Sequence, residues 1–270
     1  MTSKTTIAAF LLSLFIFGTD NIQAQQGSYK LVFSDEFNLP DGSRPDPKVW
    51  STSRRENSTW GRWVSDNPQT AYIKRGRLVC RAIPNRGLAP ADTAAMLTGA
   101  VETRGKFAFQ YGKIEVRMRT RHHPGNFPAA WLMPQPPCKP WPHNGEIDIF
   151  ETIDNQDVAY HTAHSYWTLH VNTRAKHGCT KATKVTQWHV YGLIWTPTSL
   201  TWTIDGVPTG SYLKSSDEKD VAEGQWPYDH PFYIILNQSV GRKGAWAAEA
   251  DTRHTYETEF DWVRVYQLVK

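Results

Sequence analysis

Residues 145–153 read Gly-Glu-Ile-Asp-Ile-Phe-Glu-Thr-Ile. This segment is predicted to form a β-strand, because isoleucine, phenylalanine and threonine favour strands and turn-forming residues precede it. Its unusual feature is that Glu146, Asp148 and Glu151 place three carboxylates within six residues. Burying an unpaired charge is strongly unfavourable, so a carboxylate cluster on an apolar strand calls for a chemical explanation.

Side-chain alternation predicts an irregularity in this strand. Glu146 and Asp148 are two residues apart and share a face, whereas Glu151 has the opposite parity. One extra residue near Ile149 and Phe150, a β-bulge, would return Glu151 to the face of the other two acids. The three carboxylates would then lie on one side of the strand, with Ile147 packed on the other.

Crowded carboxylates cannot all ionise at low cost, so their pKa values are driven apart. That separation suits double-displacement hydrolysis of a β-glycoside, in which one carboxylate attacks the anomeric carbon and another transfers the proton. A retaining enzyme of this kind needs its two carboxyl groups about 5–5.5 Å apart. The strand therefore indicates a glycosidase site.

The rest of the chain indicates an all-β fold. Residues 113–119, 199–204 and 260–266 alternate polar and apolar side chains, and Asp205-Gly206 reads as a hairpin turn. No long segment has the 3.6-residue period of a helix, and the sequence contains no repeat. With 40% hydrophobic and 21% charged residues, residues 25–270 are predicted to form one globular domain.

Composition narrows the ligand class. The chain has 12 Trp, 11 Tyr and 11 Phe, a surplus of flat faces that stack on sugar rings or bases. The net charge of +4 is dispersed along the chain. The basic residues form only short clusters, which indicates solvated surface, so no nucleic-acid partner is expected. An anionic or sulfated glycan stays open as an alternative.

The N-terminus reads as an export signal. Lys4 precedes an apolar run over residues 7–17, and Ile22-Gln23-Ala24 ends in a small residue. Residues 1–24 are therefore predicted to be a cleaved signal peptide, which gives a periplasmic, cell-surface or extracellular protein. The apolar run is too short to span a bilayer, so no membrane span is expected.

Three cysteines allow at most one internal disulfide, and their spacing matches no zinc or redox motif. Cys80 lies in a predicted strand and is expected to be a buried thiol. Cys138 and Cys179 lie in polar loop-like segments. Since export permits oxidation, a Cys138–Cys179 bridge is a hypothesis.

Four further segments, together with the acid-bearing strand, resemble glycoside hydrolase family 16. They are Phe-Ser-Asp-Glu-Phe at 33–37, Tyr-Gly-Lys-Ile-Glu-Val-Arg at 111–117, Phe-Pro-Ala-Ala-Trp at 127–131 and Asp-Trp-Val-Arg-Val-Tyr at 261–266. The acid motif resembles the bulged E-x-D-x-x-E form of the family. The resemblance implies a concanavalin-like β-jelly-roll sandwich of two antiparallel sheets with a substrate cleft on its concave face.

The same resemblance implies roles for individual residues. Glu146 would be the nucleophile, Asp148 the assisting acid that tunes it, and Glu151 the general acid/base. The residues implied to bind substrate are Trp131, Trp141, His164 and Asn237. Trp141 would form part of subsite −1. For His164 and Asn237, a structural role is the open alternative.

The reaction implied by the resemblance needs no cofactor and no metal at the catalytic site. Some family members hold a structural Ca²⁺ between the N- and C-terminal strands, for which Glu36 and Asp261 are candidate ligands here. The expected partner is a polysaccharide or glycan, and the chain is expected to be a monomer.

The substrate is less closely indicated. Bulged members include β-1,3-glucanases and enzymes that act on galactose-containing chains. Asn237 is followed by Gln-Ser-Val-Gly, where laminarinase-like chains carry Gly-Gly-Asn-Trp, and the loop at 133–140 also differs. These departures favour an endo-β-galactosidase acting on poly-N-acetyllactosamine or mucin O-glycan chains. An endo-β-1,3(1,4)-glucanase, a transglycosylase and a non-catalytic glycan-binding jelly roll remain as alternatives.

Overall fold

The computed structural model describes residues 28–269, so the predicted signal peptide lies outside the described residues. Fifteen strands account for nearly all the regular structure, with one short helix, α1 (Glu218–Ala222), and a π-helical turn at Trp167–Val171. The strands are β1 Tyr29–Asp35, β2 Ser51–Thr52, β3 Ala71–Ile73, β4 Leu78–Pro84, β5 Met96–Glu102, β6 Gly112–Thr120, β7 Asn126–Pro134, β8 Glu146–Glu151, β9 Val158–His164, β10 Gly178–Ala182, β11 His189–Trp195, β12 Ser199–Ile204, β13 Val207–Leu213, β14 Phe232–Val240 and β15 Tyr256–Leu268.

Twelve of the strands pair antiparallel in the order β10-β9-β8-β7-β14-β5-β4-β15-β6-β11-β12-β13, and β1, β2 and β3 pair with β15, β5 and β4 respectively. The β4–β5 pairing joins a front layer, β10 to β5, to a back layer, β4 to β13. The layers face each other, since Phe150 of β8 packs on Tyr191 of β11 with ring centroids 4.2 Å apart. The predicted all-β jelly-roll sandwich is confirmed.

Alternating side chains build the core between the layers. In β6, every second residue is buried, so Ile114, Val116 and Met118 lie in the core. The outward residues of the same strand form ion pairs with β15, such as Arg119 with Glu259. This is the pattern of a strand with one buried and one solvated face. The predicted turn is also present, since Asp205 and Gly206 both have positive φ between β12 and β13.

The hypothesis of a Cys138–Cys179 disulfide is wrong in this structure, in which all three cysteines are free thiols. Cys179 lies on β10, at the edge of the front layer, and its Sγ faces Thr209 of β13. Cys138 lies in the loop after β7 with its Sγ near Pro134 O. β7 and β10 are three strand spacings apart, about 14 Å, which is beyond disulfide reach. Cys80 is fully buried, as expected.

The two carboxylates predicted as Ca²⁺ ligands each contact an arginine. Glu36 accepts two hydrogen bonds from Arg264, at 2.8 and 2.9 Å. Asp261 pairs with Arg117 and Arg77. The calcium expectation stays a prediction, and a cation would have to compete with these guanidinium groups.

Candidate active site

The predicted bulge is present in β8. Against β7, Trp131 pairs with Asp148 and Ala130 with Phe150, so Ile149 has no partner. Against β9, the register also shifts between Asp148 and Glu151. Ile149 and Phe150 are consecutive, yet both are fully buried in the core. Two successive inward side chains are the signature of the extra residue.

The bulge brings the three acids to one cleft on the outer side of the front layer. Glu146, Asp148 and Glu151 all line a cavity of about 410 Å³. All four residues implied to bind substrate line it too, so the seven predicted site residues lie together. The full lining is Trp60, Phe127, Ala129, Trp131, Trp141, Glu146, Asp148, Glu151, Tyr160, Thr162, His164, Asn237 and Trp246.

The cleft continues beyond Glu146. A second cavity of about 390 Å³ shares Trp60, Trp131, Trp141 and Glu146 with the first and extends to Arg104 and Tyr233. Space on both sides of the acids lets a chain run through the site. Such a groove suits a cut at an internal linkage.

Glycine at position 145 starts the acid-bearing strand. Its φ is +78°, and a Cβ there would lie 2.7 Å from Tyr228 Cε1 and 3.0 Å from Pro227 Cγ. Tyr228 is itself fixed, because its hydroxyl donates to His164 O at 2.7 Å. The backbone therefore enters β8 through a position that only glycine fills without strain.

The environments of the two glutamates differ. Burial first and the charge of Asp148 second raise the pKa of Glu146 to about 8. Trp141 Nε1 donates to Glu146 Oε2 at 2.6 Å and favours its ionised form. Burial, Asp148 and Glu146 raise the pKa of Glu151 well above its ordinary value. Within residues 28–269, no side chain donates a hydrogen bond to Glu151, so its carboxyl group is the better proton carrier.

Asp148 is paired with His164. Asp148 is 2% exposed, and His164 Nε2 lies 3.3 Å from its Oδ2. Burial would lower the pKa of His164, but the interaction with Asp148 and the charge of Glu146 outweigh it and raise that pKa to about 9. At neutral pH, a positive imidazolium therefore balances the acids. The structure places His164 on the neighbouring strand β9, opposite Glu146.

Glu146, Asp148 and His164 form the one cluster in the described part of the chain whose potential metal-binding atoms lie within 4.8 Å of one another. A cation there would have to displace the His164 proton and the indole N–H that Trp141 donates. The side chains of Glu146, Asp148 and His164 are arranged for hydrogen bonds and an ion pair.

Asn237 orients an aromatic wall of the cleft. Its Oδ1 accepts from Trp131 Nε1 at 2.8 Å, and its Nδ2 donates to Ser239 Oγ at 2.9 Å. Ser239 Oγ in turn donates to Trp60 O at 2.8 Å. The Trp131 ring packs edge-on against Trp60 with centroids 4.8 Å apart. This chain of hydrogen bonds fixes the Trp131 indole and the main chain at Trp60.

Several cleft residues were not predicted from sequence. Tyr160 and Thr162 share the face of His164 on β9, so period-2 alternation could have found them. Trp60 and Trp246 lie in loops, where no periodicity gives the direction of a side chain. Trp246 is 48% exposed and meets Tyr160 and Phe127 edge-on at 4.8 and 5.7 Å. It forms an aromatic surface on the Glu151 side.

Comparison with known proteins agrees with this geometry. The sequence profile of glycosyl hydrolases family 16 matches residues 67–264. A keratan-sulfate endo-1,4-β-galactosidase from Sphingobacterium multivorum is 33% identical over 89% of this chain, which spans 56% of that protein. A β-glucanase from Rhodothermus marinus is 30% identical over 97% of this chain and 94% of its own length.

Solved structures share the fold. The laminarinase from Rhodothermus marinus superposes with a TM-score of 0.78 at 27% identity, covering 91% of this chain and all of that one. A structure from work on endo-acting O-glycanases, which human gut microbiota express to initiate mucin breakdown, gives 0.77 at 28% identity over 89% of this chain and all of its own.

No helix within residues 28–269 is long and apolar enough to cross a bilayer.

An acid-bearing bulged strand, an aromatic cleft and a profile match over most of the sequence agree with one another. The chain belongs to glycosyl hydrolase family 16 and is a glycoside hydrolase.

Proposed function

We propose that this chain is a retaining endo-β-galactosidase that cuts internal linkages of poly-N-acetyllactosamine or mucin O-glycan chains. The observation that carries the enzymatic part is the β8 bulge, which turns Glu146 and Glu151 into the same cleft. Glu146 serves as the nucleophile, Glu151 as the general acid/base, and Asp148 assists Glu146.

The protonation pattern supports this assignment of roles. Trp141 donates a hydrogen bond to Glu146, and the His164 imidazolium lowers the cost of its charge. Burial and the two acidic neighbours, Asp148 and Glu146, disfavour a negative charge on Glu151. Negative charge is therefore cheaper on Glu146, and the shared proton favours Glu151.

The reaction then runs in two displacements. Glu146 attacks the anomeric carbon while Glu151 gives its proton to the departing glycosidic oxygen, which leaves a glycosyl ester on Glu146. Glu151, now ionised, takes a proton from water, and that water attacks the same carbon and releases Glu146. Two inversions at one carbon give net retention.

Asp148 and His164 support the change of charge at Glu146. The negative Asp148 raises the pKa of Glu146 and so increases its basicity as a nucleophile. Once Glu146 is esterified, the Asp148–His164 pair remains as a neutral unit beneath the sugar. A buried charge pair of this kind costs less than a lone carboxylate.

Three observations favour a galactoside. The galactosidase relative and the structure from the O-glycanase work are among the similar proteins. The segment after Asn237 departs from the laminarinase-like pattern and leads to Trp246 at the cleft wall. The axial hydroxyl of galactose lies on one face of the ring and leaves an apolar C–H surface on the opposite face, on which a flat indole can stack.

An endo-β-1,3(1,4)-glucanase is the second candidate. The β-glucanase from Rhodothermus marinus is similar over nearly the full length of both chains. The catalytic machinery proposed above would serve this substrate equally, so the two candidates differ only in the sugars that the cleft walls accept.

Product chromatography on a matched panel of glycans tests the proposal. Keratan-type glycans, mucin O-glycans and agarose form one group, and laminarin and mixed-linkage glucan form the other. We expect internal cleavage in the galactoside group. Cleavage confined to the glucans would establish the second candidate, and binding without cleavage of any member would contradict the catalytic proposal.

Export and oligomeric state belong to the same proposal. We infer cleavage after Ala24 from the pattern of residues 1–24 and expect a monomer. Sequencing of the mature N-terminus should begin at Gln25, and light scattering should give the mass of one chain. An N-terminus that begins before Gln25 would reject the proposed cleavage, and a stable dimer would reject the proposed monomer.

A further inference from the structure

Two main-chain carbonyl groups in the β8 bulge accept hydrogen bonds from side chains on the core side of the strand. Trp202 Nε1 donates to the carbonyl oxygen of Asp148 at 2.8 Å. The carbonyl oxygen of Ile149 lies 2.6 Å from His161 Nδ1. The register shift falls at these residues, where the regular ladder is interrupted.

Both donors are buried away from the cleft. Trp202 lies on β12 in the back layer and is fully buried, and His161 lies on β9 and is 1% exposed. Their rings stack with centroids 6.0 Å apart and an interplanar angle of 18°. One donor thus comes from each layer of the sandwich, and together they hold adjacent carbonyl groups.

The tautomer of His161 follows from its contact. A carbonyl oxygen can only accept, so Nδ1 must carry the hydrogen atom. Burial lowers the pKa of His161 to about 4, which keeps the ring neutral. Its Nε2 has no hydrogen-bond partner among the described residues. A buried ring that uses only one nitrogen is placed for that single bond.

We propose that Trp202 and His161 are positioning residues that hold the β8 bulge and thereby keep the Glu151 carboxyl group on the cleft side. Because a strand has a period of two, loss of the bulge would turn Glu151 toward the core while Glu146 and Asp148 kept their places. This inference rests on the proposed acid/base role of Glu151.

Five variants test the proposal. Trp202→Phe and His161→Leu each remove one donor, and His161→Asn restores an amide N–H near the position of Nδ1. Trp195→Phe is the matched control, because Trp195 is equally buried and its Nε1 donates to Tyr228 O at 3.1 Å, outside the bulge. Glu151→Ala supplies the reference for loss of the acid/base group.

The readout is the ratio of two rates, each measured as kcat/KM, on the native glycan and on an aryl glycoside whose dinitrophenyl leaving group needs no protonation. Because kcat/KM reports formation of the glycosyl ester and not its hydrolysis, loss of general acid catalysis lowers only the first rate, by about 10²–10⁴-fold. We expect Trp202→Phe and His161→Leu to lower the ratio at least about tenfold, toward Glu151→Ala, and azide to accelerate both. Trp195→Phe should keep the wild-type ratio, and His161→Asn should recover most of it.

Equal loss of both rates in Trp202→Phe and His161→Leu, or no loss, would overturn the inference while the proposed function stood. A wild-type protein that cleaves neither substrate would overturn both. If Trp202→Phe and His161→Leu do not fold, nitrogen-15 NMR spectra of the histidines in the wild-type protein test the proposal instead. The Nδ1–H tautomer of His161 supports the proposal, and the Nε2–H tautomer, common in water, contradicts it.

Discussion

Glu146 and Glu151 are both glutamates on one short strand, and their surroundings give them different tasks. Trp141 and His164 stabilise negative charge on Glu146. Glu151 lacks such donors within the described residues, and its acidic neighbours oppose its ionisation. The identity of the side chain is therefore less informative than its contacts.

The Glu146→Gln variant should lose turnover by at least about 10⁴-fold, because an amide cannot form the glycosyl ester. Folding and glycan binding should be nearly unchanged, since the replacement keeps the shape and Trp141 can still donate to the amide oxygen. Turnover and calorimetric binding measure the two properties. Substantial residual turnover in a preparation free of wild type would defeat the nucleophile assignment.

The Glu151→Gln variant should be more stable than wild type at alkaline pH. Burial and the neighbouring acids raise the pKa of Glu151 in the folded protein, so the native state holds a proton that the unfolded state releases above about pH 4.5. The penalty is absent below that pH and grows as the pH rises. We expect a gain on the order of 1–2 kcal/mol near pH 8, or about 2–8 °C in Tm.

Thermal unfolding at pH 4.5 and pH 8 checks this sign. The gain should be small at the lower pH and larger at the higher one. An equal gain at both pH values, or a loss of stability, would show that the carboxylate is not under strain in the native site.

At the scale of the element, β8 combines an entry turn, a bulge and a core-facing side. Gly145→Ala should cost about 3 kcal/mol of stability, because the new Cβ meets Tyr228 and the backbone has positive φ. It should also lower kcat by displacing the start of the acid-bearing strand. Urea unfolding and kinetics measure both effects.

Gly206→Ala is the matched control for that variant. Its φ of +79° equals that of Gly145 within a degree, but no atom lies within 4 Å of the added Cβ. It should cost about 1 kcal/mol from backbone strain alone and leave kcat unchanged. Equal costs for the two variants would reject the contact with Tyr228 as the reason for Gly145.

The sequence was sufficient to predict this element for a physical reason. The spacing of Glu146, Asp148 and Glu151 conflicts with strand parity, and only an inserted residue resolves the conflict. Trp60 and Trp246 were beyond prediction because loop backbones have no period that fixes a side-chain direction. Asn237 was placed correctly in the cleft, but its hydrogen bond to Trp131 depends on the strand order β7-β14, which the sequence does not contain.

At the scale of the whole molecule, the two facing layers provide the stability, and no covalent link is needed. The sequence could not decide whether a disulfide forms, because the separation of two cysteines along the chain does not give their distance in space. Titration of the denatured protein should give three thiols, and a reductant should leave Tm unchanged, since Cys80, Cys138 and Cys179 are all free. A titre of one thiol would contradict the described strand order around Cys179.

The two glutamates act on one sugar only if their carboxyl groups lie at retaining distance across the bulge, about 5–5.5 Å apart. Proton NMR of the earliest products, before the anomers equilibrate, reports this most directly. Double displacement through Glu146 predicts that the new reducing end appears first as the β-anomer. Initial release of the α-anomer would mean that water attacks directly across a wider gap, and would contradict the double displacement through Glu146.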